Sequence, residues 1–497
     1  MNSETRAIVT RMSEPTYFEG PIMIRGKGTG FVKHPDLAED IVIERSNLGF
    51  ALDGDIVRLR LKPKQEGQRQ EGVVADVIKK AFRELIGNVV ETDRNGEKVR
   101  ALAPDNRRIH VRPRLPDATG NDVGMKVAVE IERWEDPQAD PIGSITEVLG
   151  RAGEHETEMQ AIIRSGGFAQ DFPAEVQEAA ESLHARQADI FAAAAQDPAR
   201  RDLRDRPTMT IDPADAKDFD DALSVRELES GNVEVGIHIA DVSHYVEEGG
   251  AIDLEARERG TSIYLVDRVI PMLPEILSND LCSLRPNEDR LAFSAVFEMT
   301  RTGKVVSEWY GQTLIHSDKR FAYEDAQAVL DAGSGEHHTE LSTLMEISRI
   351  LRNARYQNGA IAFEQPEVKF ELDERGAPIA AYAKERTETM LMIEDFMLLA
   401  NREVATHIHE LAKDRGRDHA FVYRIHDTPD PDKIEDLALF IRALGYEFET
   451  QHGSVQATDI NKLLEEIEGT PEENLIKTAT TRSMAKAGYS TKNIGHL

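Results

Sequence analysis

The chain has 497 residues, 40% of them apolar and 30% charged, with a net charge of −30 and a single cysteine. This length exceeds one ordinary domain, and the apolar share is enough for real cores. Cys282 alone excludes an intrachain disulfide framework and a thiolate metal cluster. No apolar run is long enough to span a membrane, and the first twenty residues lack a signal peptide's layout, so a reducing cytoplasm is the expected location.

The charge is unevenly distributed. Residues 1–150 carry 23 Lys+Arg against 25 Asp+Glu, a net of −2, whereas the remaining 347 residues carry 37 against 65, a net of −28. The front of the chain can therefore present a local basic face despite the acidic total.

In chain order, residues 1–19 are polar and predict a flexible N-terminus. From Gly20 the text changes to short strand-like runs punctuated by Gly, Pro and Asp. In DGDIVRLRL, Arg58, Arg60 and Lys62 alternate with Val57, Leu59 and Leu61, and Ile56 interrupts the polar face. A second series, LIGNVVETD to GSITEVLG, repeats this grammar. Residues 20–80 and 81–150 thus predict two tandem small barrels. Residues 151–200 predict a helical connector. Beyond it, VEVGIHIADVSHYV and LAFSAVFEM alternate as strands, and ETMLMIEDFMLLANREVATHIHEL repeats apolar residues at steps of three and four, as a helix does. Asp430-Pro431 reads as an N-cap with Pro at the first helical position. Residues 201–497 are therefore read as one mixed α/β domain.

The stretch TIDPADAKDFDDALSV places Asp212, Asp215, Asp218, Asp220 and Asp221 within ten positions, next to apolar segments. Carboxylates this dense either face water or are held by a cation. Phe219 and the following strand-like ALSV put part of the cluster at the edge of a core. Oxygen-only ligation suits Mg²⁺ or Mn²⁺. Calcium in a helix–loop–helix site fits poorly, since Ala214, Ala216, Lys217 and Leu223 fall where that motif needs oxygens and Gly. The remaining chemistry is metal-assisted attack of water on a phosphodiester. His238 and His244, on either side of Asp241, are read as structural rather than metal-ligating, and Cys282 as a buried apolar residue.

Several long matches in order resemble the ribonuclease II/ribonuclease R family: TIDPADAKDFDDALSV, VGIHIADVSHYV, IPMLPEILSNDLCSLRPNEDRLAFS, IEDFMLLAN, YRIHDTPDPDKIEDL and RSMAKAGYSTKNIGHL. With the front barrels, the resemblance covers about residues 20–497. It implies an α+β multidomain protein, with two N-terminal OB-type (cold-shock-like) β-barrels followed by a mixed α/β RNB catalytic domain. It also implies a processive 3′→5′ exoribonuclease, monomeric, that hydrolyses single-stranded RNA with a free 3′ end to nucleoside 5′-monophosphates using Mg²⁺, with Mn²⁺ as a substitute.

The family's catalytic, metal-binding aspartates fall on Asp212, Asp218, Asp220 and Asp221, and Asp215 matches no such role. The aromatic setting end-product length falls on Tyr264, the tyrosine sensing the terminal ribose on Tyr323, and the aromatic clamping the last base on Phe363. The acidic contact to the terminal nucleotide falls on Glu394 or Asp395, with Glu394 favoured. In the front barrels Phe31 offers one stacking surface, Arg25, Lys27 and Lys33 offer phosphate contacts, and RRIHVRPR contributes Arg107, Arg108, Arg112 and Arg114.

The family pattern continues past GHL into a segment with paired arginines, whereas this sequence stops at Leu497. The expectation on that basis is a chain that binds RNA and cleaves it poorly or not at all. The alternative is a non-catalytic RNA-binding or regulatory protein with a disabled nuclease site; a small-molecule phosphohydrolase is a third reading.

Overall fold

The computed structural model describes residues 17–495, apart from 27, 36, 38, 64–68, 82–83, 95–96, 362–366, 375, 417–418, 449 and 451–454. Lys27, Phe363 and residues 1–16 of the expected flexible N-terminus thus lie outside the described residues. The chain divides into two compact units, Met1–Asp171 and Phe172–Leu497.

In the first unit, alternation of apolar and polar residues builds two closed sheets. Strands β1 (Tyr17–Arg25), β2 (Thr29–Val32), β3 (Ile41–Ile43), β4 (Ile56–Leu61) and β5 (Gly72–Lys79) form an antiparallel sheet in the order β3-β2-β1-β4-β5. A parallel bridge from Val42 to Glu71 joins its two edges, which makes it a barrel. Ile22, Ile24, Val32, Ile41, Ile43, Val57 and Leu59 fill the interior. In β4, Val57 and Leu59 point inward and Ile56, Arg58 and Arg60 outward, as their period-two spacing requires.

The second sheet comprises β6 (Leu85–Arg94), β7 (Glu97–Pro104), β8 (Met125–Arg133) and β9 (Ile142–Arg151), ordered β7-β6-β8-β9. Its edges are joined through Arg114, which bridges to Ala101 on one side and Ile142 on the other.

The helical stretch 151–200 is not one connector. Helix His155–Ser165 belongs to the first unit, where Ala161 packs on Ile86 and Ala128 and Glu158 reaches buried Lys126 at 2.8 Å. Helices Ala174–Ala185 and Gln187–Ala195 belong to the second, where Val176, Ala180 and Ala194 enter its core. The division follows the apolar faces: each helix packs where its small residues are matched.

The second unit is organised on a seven-stranded mixed sheet. Its strands are β10 (Arg201–Asp202), β11 (Thr208–Asp212), β12 (Asp221–Glu227), β13 (Val233–Ala240), β16 (Glu288–Met299), β17 (Val305–Ser317) and β18 (Lys319–Ala322), with the short pair β14 (Ile263–Tyr264) and β15 (Val269–Ile270) lying outside it. The order is β10-β17-β16-β13-β12-β11-β18, with β10–β17 and β11–β18 parallel and the other pairs antiparallel.

Both faces of this sheet are covered. Leu223, Val235, Ile237 and Phe297 meet Leu344, Ile347, Met392 and Phe396 of helices His338–Gln357 and Glu388–Arg415. Ala222, Ala240, Leu291 and Leu314 pack on the opposite side with Leu277 and Leu284. Residues 367–384 form a hairpin of β19 (Glu367–Leu372) and β20 (Pro378–Lys384). Gly376, at φ +78°, makes the turn, and its amide donates to the Asp373 carbonyl. The helix predicted at Asp430-Pro431 spans Pro431–Ala443, and the Asp430 side chain accepts from the Asp432 amide. Among the described residues no helix is long and apolar enough to cross a membrane.

Candidate active site

Strand β11 ends at Asp212 and its antiparallel neighbour β12 begins at Asp221. The intervening loop, 213–220, turns back on itself and returns Asp221 to the end of the sheet where Asp212 sits. A Pro213–Ala216 turn opens the loop, and the Ala240 amide fixes its far end by donating to the Asp220 carbonyl at 2.9 Å. Phe219 points into the core and is buried, so Asp218 and Asp220 on either side of it are less enclosed.

The four aspartates form one electrostatically coupled group. Asp212 is 9% exposed, and its Oδ2 is buried with no hydrogen-bond partner. Burial first, then the Asp221 carboxylate, push its pKa up to about 7, against smaller opposing pulls from the nearby Thr210 hydroxyl and then Arg320. Asp221 is raised to about 6, by burial and then by Asp220. Asp220 keeps an open surface, yet desolvation and then Asp218 raise it too. Asp215 is exposed.

An unpaired buried carboxylate oxygen is costly unless something cationic reaches it. All the donors here are hard oxygens, which suits Mg²⁺ or Mn²⁺. Among the described residues no three His, Cys, Asp or Glu side chains already form a coordination shell. A Mg²⁺ keeps waters and takes only a few carboxylates together with substrate phosphate, so it does not need three side chains in place at once.

Aromatic and acidic groups surround the cluster. The Tyr264 hydroxyl donates to Asp218 Oδ2 at 3.2 Å while the residue remains 66% exposed, presented on the short β14–β15 pair. Tyr323 begins helix Tyr323–Ala332; burial, then Asp212 and Asp221, raise its phenol to about 12, so it stays a neutral donor facing the carboxylates. A cleft of about 620 Å³ is lined by Pro213, next to Asp212, and by Tyr323, Lys384, Arg386 and Glu394. Glu394 is exposed and receives a hydrogen bond from Arg386. Asp395 is buried and held by Ser348, Arg352 and Arg355, which makes it a structural anchor, whereas Glu394, like Glu367, lines the cleft.

The histidines are structural. His238 is fully buried between Ser224 and Ser294, at 2.9 and 2.7 Å, and burial pushes its pKa down to about 4. His244 lies in a helical turn beyond the end of β13, with Nδ1 3.5 Å from Arg200. Cys282 is buried, and burial raises its thiol to about 12.

In the first unit, half-buried Phe31 lies on the outer sheet face opposite Met23, with the Arg25 guanidinium 5.6 Å from its ring, and Lys33 is exposed. Arg107, Arg108, Arg112 and Arg114 are all exposed, and Arg108 lies 3.5 Å from Asp53. Arg107 and Arg112 share a groove of about 370 Å³ with Arg45 and His110.

Two residues not legible as site residues in the sequence contact the aspartate loop directly. Ser283 Oγ accepts from the Phe219 amide and donates to the Lys217 carbonyl. Arg320 Nη2 donates to the carbonyls of Pro213 and Ala214. Both act on backbone, so no pattern of reactive side chains marks them.

Residues 20–77 match the ribonuclease B OB domain family, 102–173 the cold shock domain family and 200–497 the RNB domain family. The chain belongs to the RNB-domain family. It is 34% identical over 490 residues to ribonuclease R 1 of Lactococcus lactis, covering 95% of this chain and 58% of that protein. It is 35% identical over 476 residues to the ribonuclease R of Thermotoga maritima, covering 92% and 64%. The chain thus spans about three fifths of the length of these two relatives. The structure of Mycoplasma genitalium RNase R in complex with ribose methylated single-stranded RNA matches with a TM-score of 0.84 at 26% identity, over 96% of this chain and 74% of that one.

Proposed function

We propose that this chain carries the catalytic site of a processive 3′→5′ exoribonuclease that hydrolyses single-stranded RNA to nucleoside 5′-monophosphates, with Mg²⁺ as cofactor and Mn²⁺ as a substitute. One observation carries the reading: a coupled carboxylate cluster, containing a buried oxygen with no partner, lies beside a cleft that holds Tyr323 and Glu394. Asp212, Asp218, Asp220 and Asp221 are the residues that would hold the cation. When bound, it would neutralise the carboxylates, polarise the scissile phosphoryl group and lower the pKa of water.

The protein's own groups supply binding and orientation. Tyr264 offers an open aromatic face that grips any base by stacking, worth about 1–3 kcal/mol per base, and its hydroxyl ties that face to Asp218. Tyr323, neutral at any physiological pH, provides a donor for a terminal ribose hydroxyl, a group that separates RNA from DNA. Glu394 provides an acceptor for the other terminal hydroxyl. Phe363 is assigned the base clamp by its motif alone. Phe31, Lys33, Arg107, Arg108, Arg112 and Arg114 hold the strand upstream through stacking and phosphate contacts.

The product, rather than the rate, decides. Single-stranded RNA labelled along its length and incubated with excess protein should yield nucleoside 5′-monophosphates with Mg²⁺ and none with EDTA. Asp220→Asn should abolish this release while leaving RNA binding in place. RNA binding without any metal-dependent mononucleotide, or cleavage at internal positions, would overturn the proposal.

A further inference from the structure

The loop that carries Asp218 and Asp220 has too few contacts of its own to fix where its carboxylates point. Its eight residues contain exposed Pro213, Ala214, Asp215 and Lys217, and it is anchored from outside. On the core side, Ser283 is fully buried and both capacities of its hydroxyl are used: Oγ accepts from the Phe219 amide at 3.0 Å and donates to the Lys217 carbonyl at 2.8 Å. The next residue continues the attachment, because the Leu284 amide donates to the Phe219 carbonyl at 2.8 Å. The peptide groups on both sides of Asp218 are thus tied to a segment about 65 residues further along.

From the other side, Arg320 extends from β18, which runs parallel to β11 with Arg320 opposite Thr210. Its Nη2 donates to the carbonyls of Pro213 at 2.7 Å and Ala214 at 2.8 Å, and its guanidinium lies 5.6 Å from the Phe219 ring. A planar guanidinium can lie against that ring while one of its nitrogens meets two carbonyls; a lysine ammonium could donate to the carbonyls but offers no plane to the ring.

We infer that Ser283 and Arg320 are positioning residues that clamp the two halves of the 213–220 loop and so hold Asp218 and Asp220 within reach of Asp212 and Asp221, as the ground state from which a divalent cation is bound. This rests on the proposed function for the identity of the ligand, but the clamp itself is a property of the backbone. Like-charge repulsion would otherwise drive the carboxylates apart, and external anchors on the loop backbone oppose it.

The test is Mn²⁺ affinity, read by the paramagnetic signal of the free ion, in the full chain and in Ser283→Ala, Arg320→Met and Arg320→Lys, with circular dichroism and thermal melting as checks of the fold. Ser283→Ala and Arg320→Met should each weaken Mn²⁺ binding tenfold or more in folded protein. Arg320→Lys should fail to rescue fully, since it restores the charge and a donor but not the planar contact with the Phe219 ring. Unchanged affinity in folded Ser283→Ala and Arg320→Met, or full rescue by lysine, would overturn the clamp.

Should a variant not fold, hydrogen exchange of the wild-type chain answers the same question. The Phe219 amide should exchange as slowly as the amides of β12, and rapid exchange would overturn the inference. Wild-type protein with a protected Phe219 amide and no Mn²⁺ binding would uphold the clamp and sink the metal reading instead.

Discussion

Asp212 is the residue on which the site's chemistry and its stability pull in opposite directions. Its raised pKa, about 7, means that the fold tolerates the neutral acid better than the carboxylate. The sign follows from linkage: a group whose folded pKa lies above its unfolded value stabilises fully below the unfolded value and loses that contribution as pH rises through the folded one. In EDTA the wild-type chain should therefore become less stable between about pH 4 and pH 7. Asp212→Asn, which cannot ionise, should melt higher than wild type at pH 8, with the gap shrinking toward pH 4, and should lose Mn²⁺ affinity. Equal melting of the two proteins at pH 8, or a lower melting point for the variant, would mean that Asp212 is not held against its charge. The aspartates were legible in sequence because five carboxylates in ten positions demand an explanation. Tyr264, Tyr323 and Glu394 were legible only through long motif matches, since one tyrosine or glutamate has no pattern of its own. Ser283 and Arg320 escaped because they act on carbonyl and amide groups roughly 65 and 105 residues distant in sequence, and backbone partners leave no trace in residue type.

At the scale of elements, β13 shows why alternation was readable and where it misleads. Val233, Val235 and Ile237 face one helical layer, while on the other face Gly236, His238 and Ala240 are buried and Glu234 is half-buried, so most of the strand is covered on both sides, with Ile239 near its end exposed. The buried His238 lies on this second face and completes a polar row: Ser224 and Ser294 flank it across β12 and β16, and Ser294 continues to Thr313 on β17 at 2.6 Å. This row lies at the centre of the sheet whose β11 and β12 ends carry the aspartates. His238→Phe would strand the Ser224 hydroxyl and should cost about 1–3 kcal/mol at pH 7 by chemical denaturation. The acid branch gives a separate check. With a folded pKa near 4, below the ordinary histidine value, the unfolded chain takes up the proton first, so the stabilisation is lost as pH falls from about 6.5 to 4. The variant should lack that component, and an identical acid profile in the two proteins would refute it. The β19–β20 hairpin and the divided helical stretch were not legible for a different reason: local propensity does not reveal which neighbour an exposed ribbon or a small-residue helix face will meet.

For the whole molecule, on the proposed function, charge distribution decides how RNA would be held. The last 347 residues carry a net charge of −28 and repel a polyanion, whereas the first 150 are close to neutral and display the exposed Arg107, Arg108 and Arg112. Steering of RNA phosphate therefore falls to the first unit, and the acidic site becomes hospitable only when its carboxylates are neutralised. Phosphate contacts and stacking respond differently to salt, which allows the two to be separated in one titration. Each phosphate contact to a single strand contributes about 0.7 to the slope of log affinity against log salt. Replacing Arg107, Arg108 and Arg112 together by alanine should lower that slope by about 2, with the largest loss of affinity at low salt, as read by fluorescence anisotropy of a labelled oligoribonucleotide in EDTA. Phe31→Ala, which removes a stacking face and no charge, should weaken binding by a similar factor at every salt concentration and leave the slope unchanged. If the triple arginine variant keeps the wild-type slope, the first unit does not bind phosphate through this face, and RNA must be gripped by bases alone or by cations elsewhere in the acidic unit.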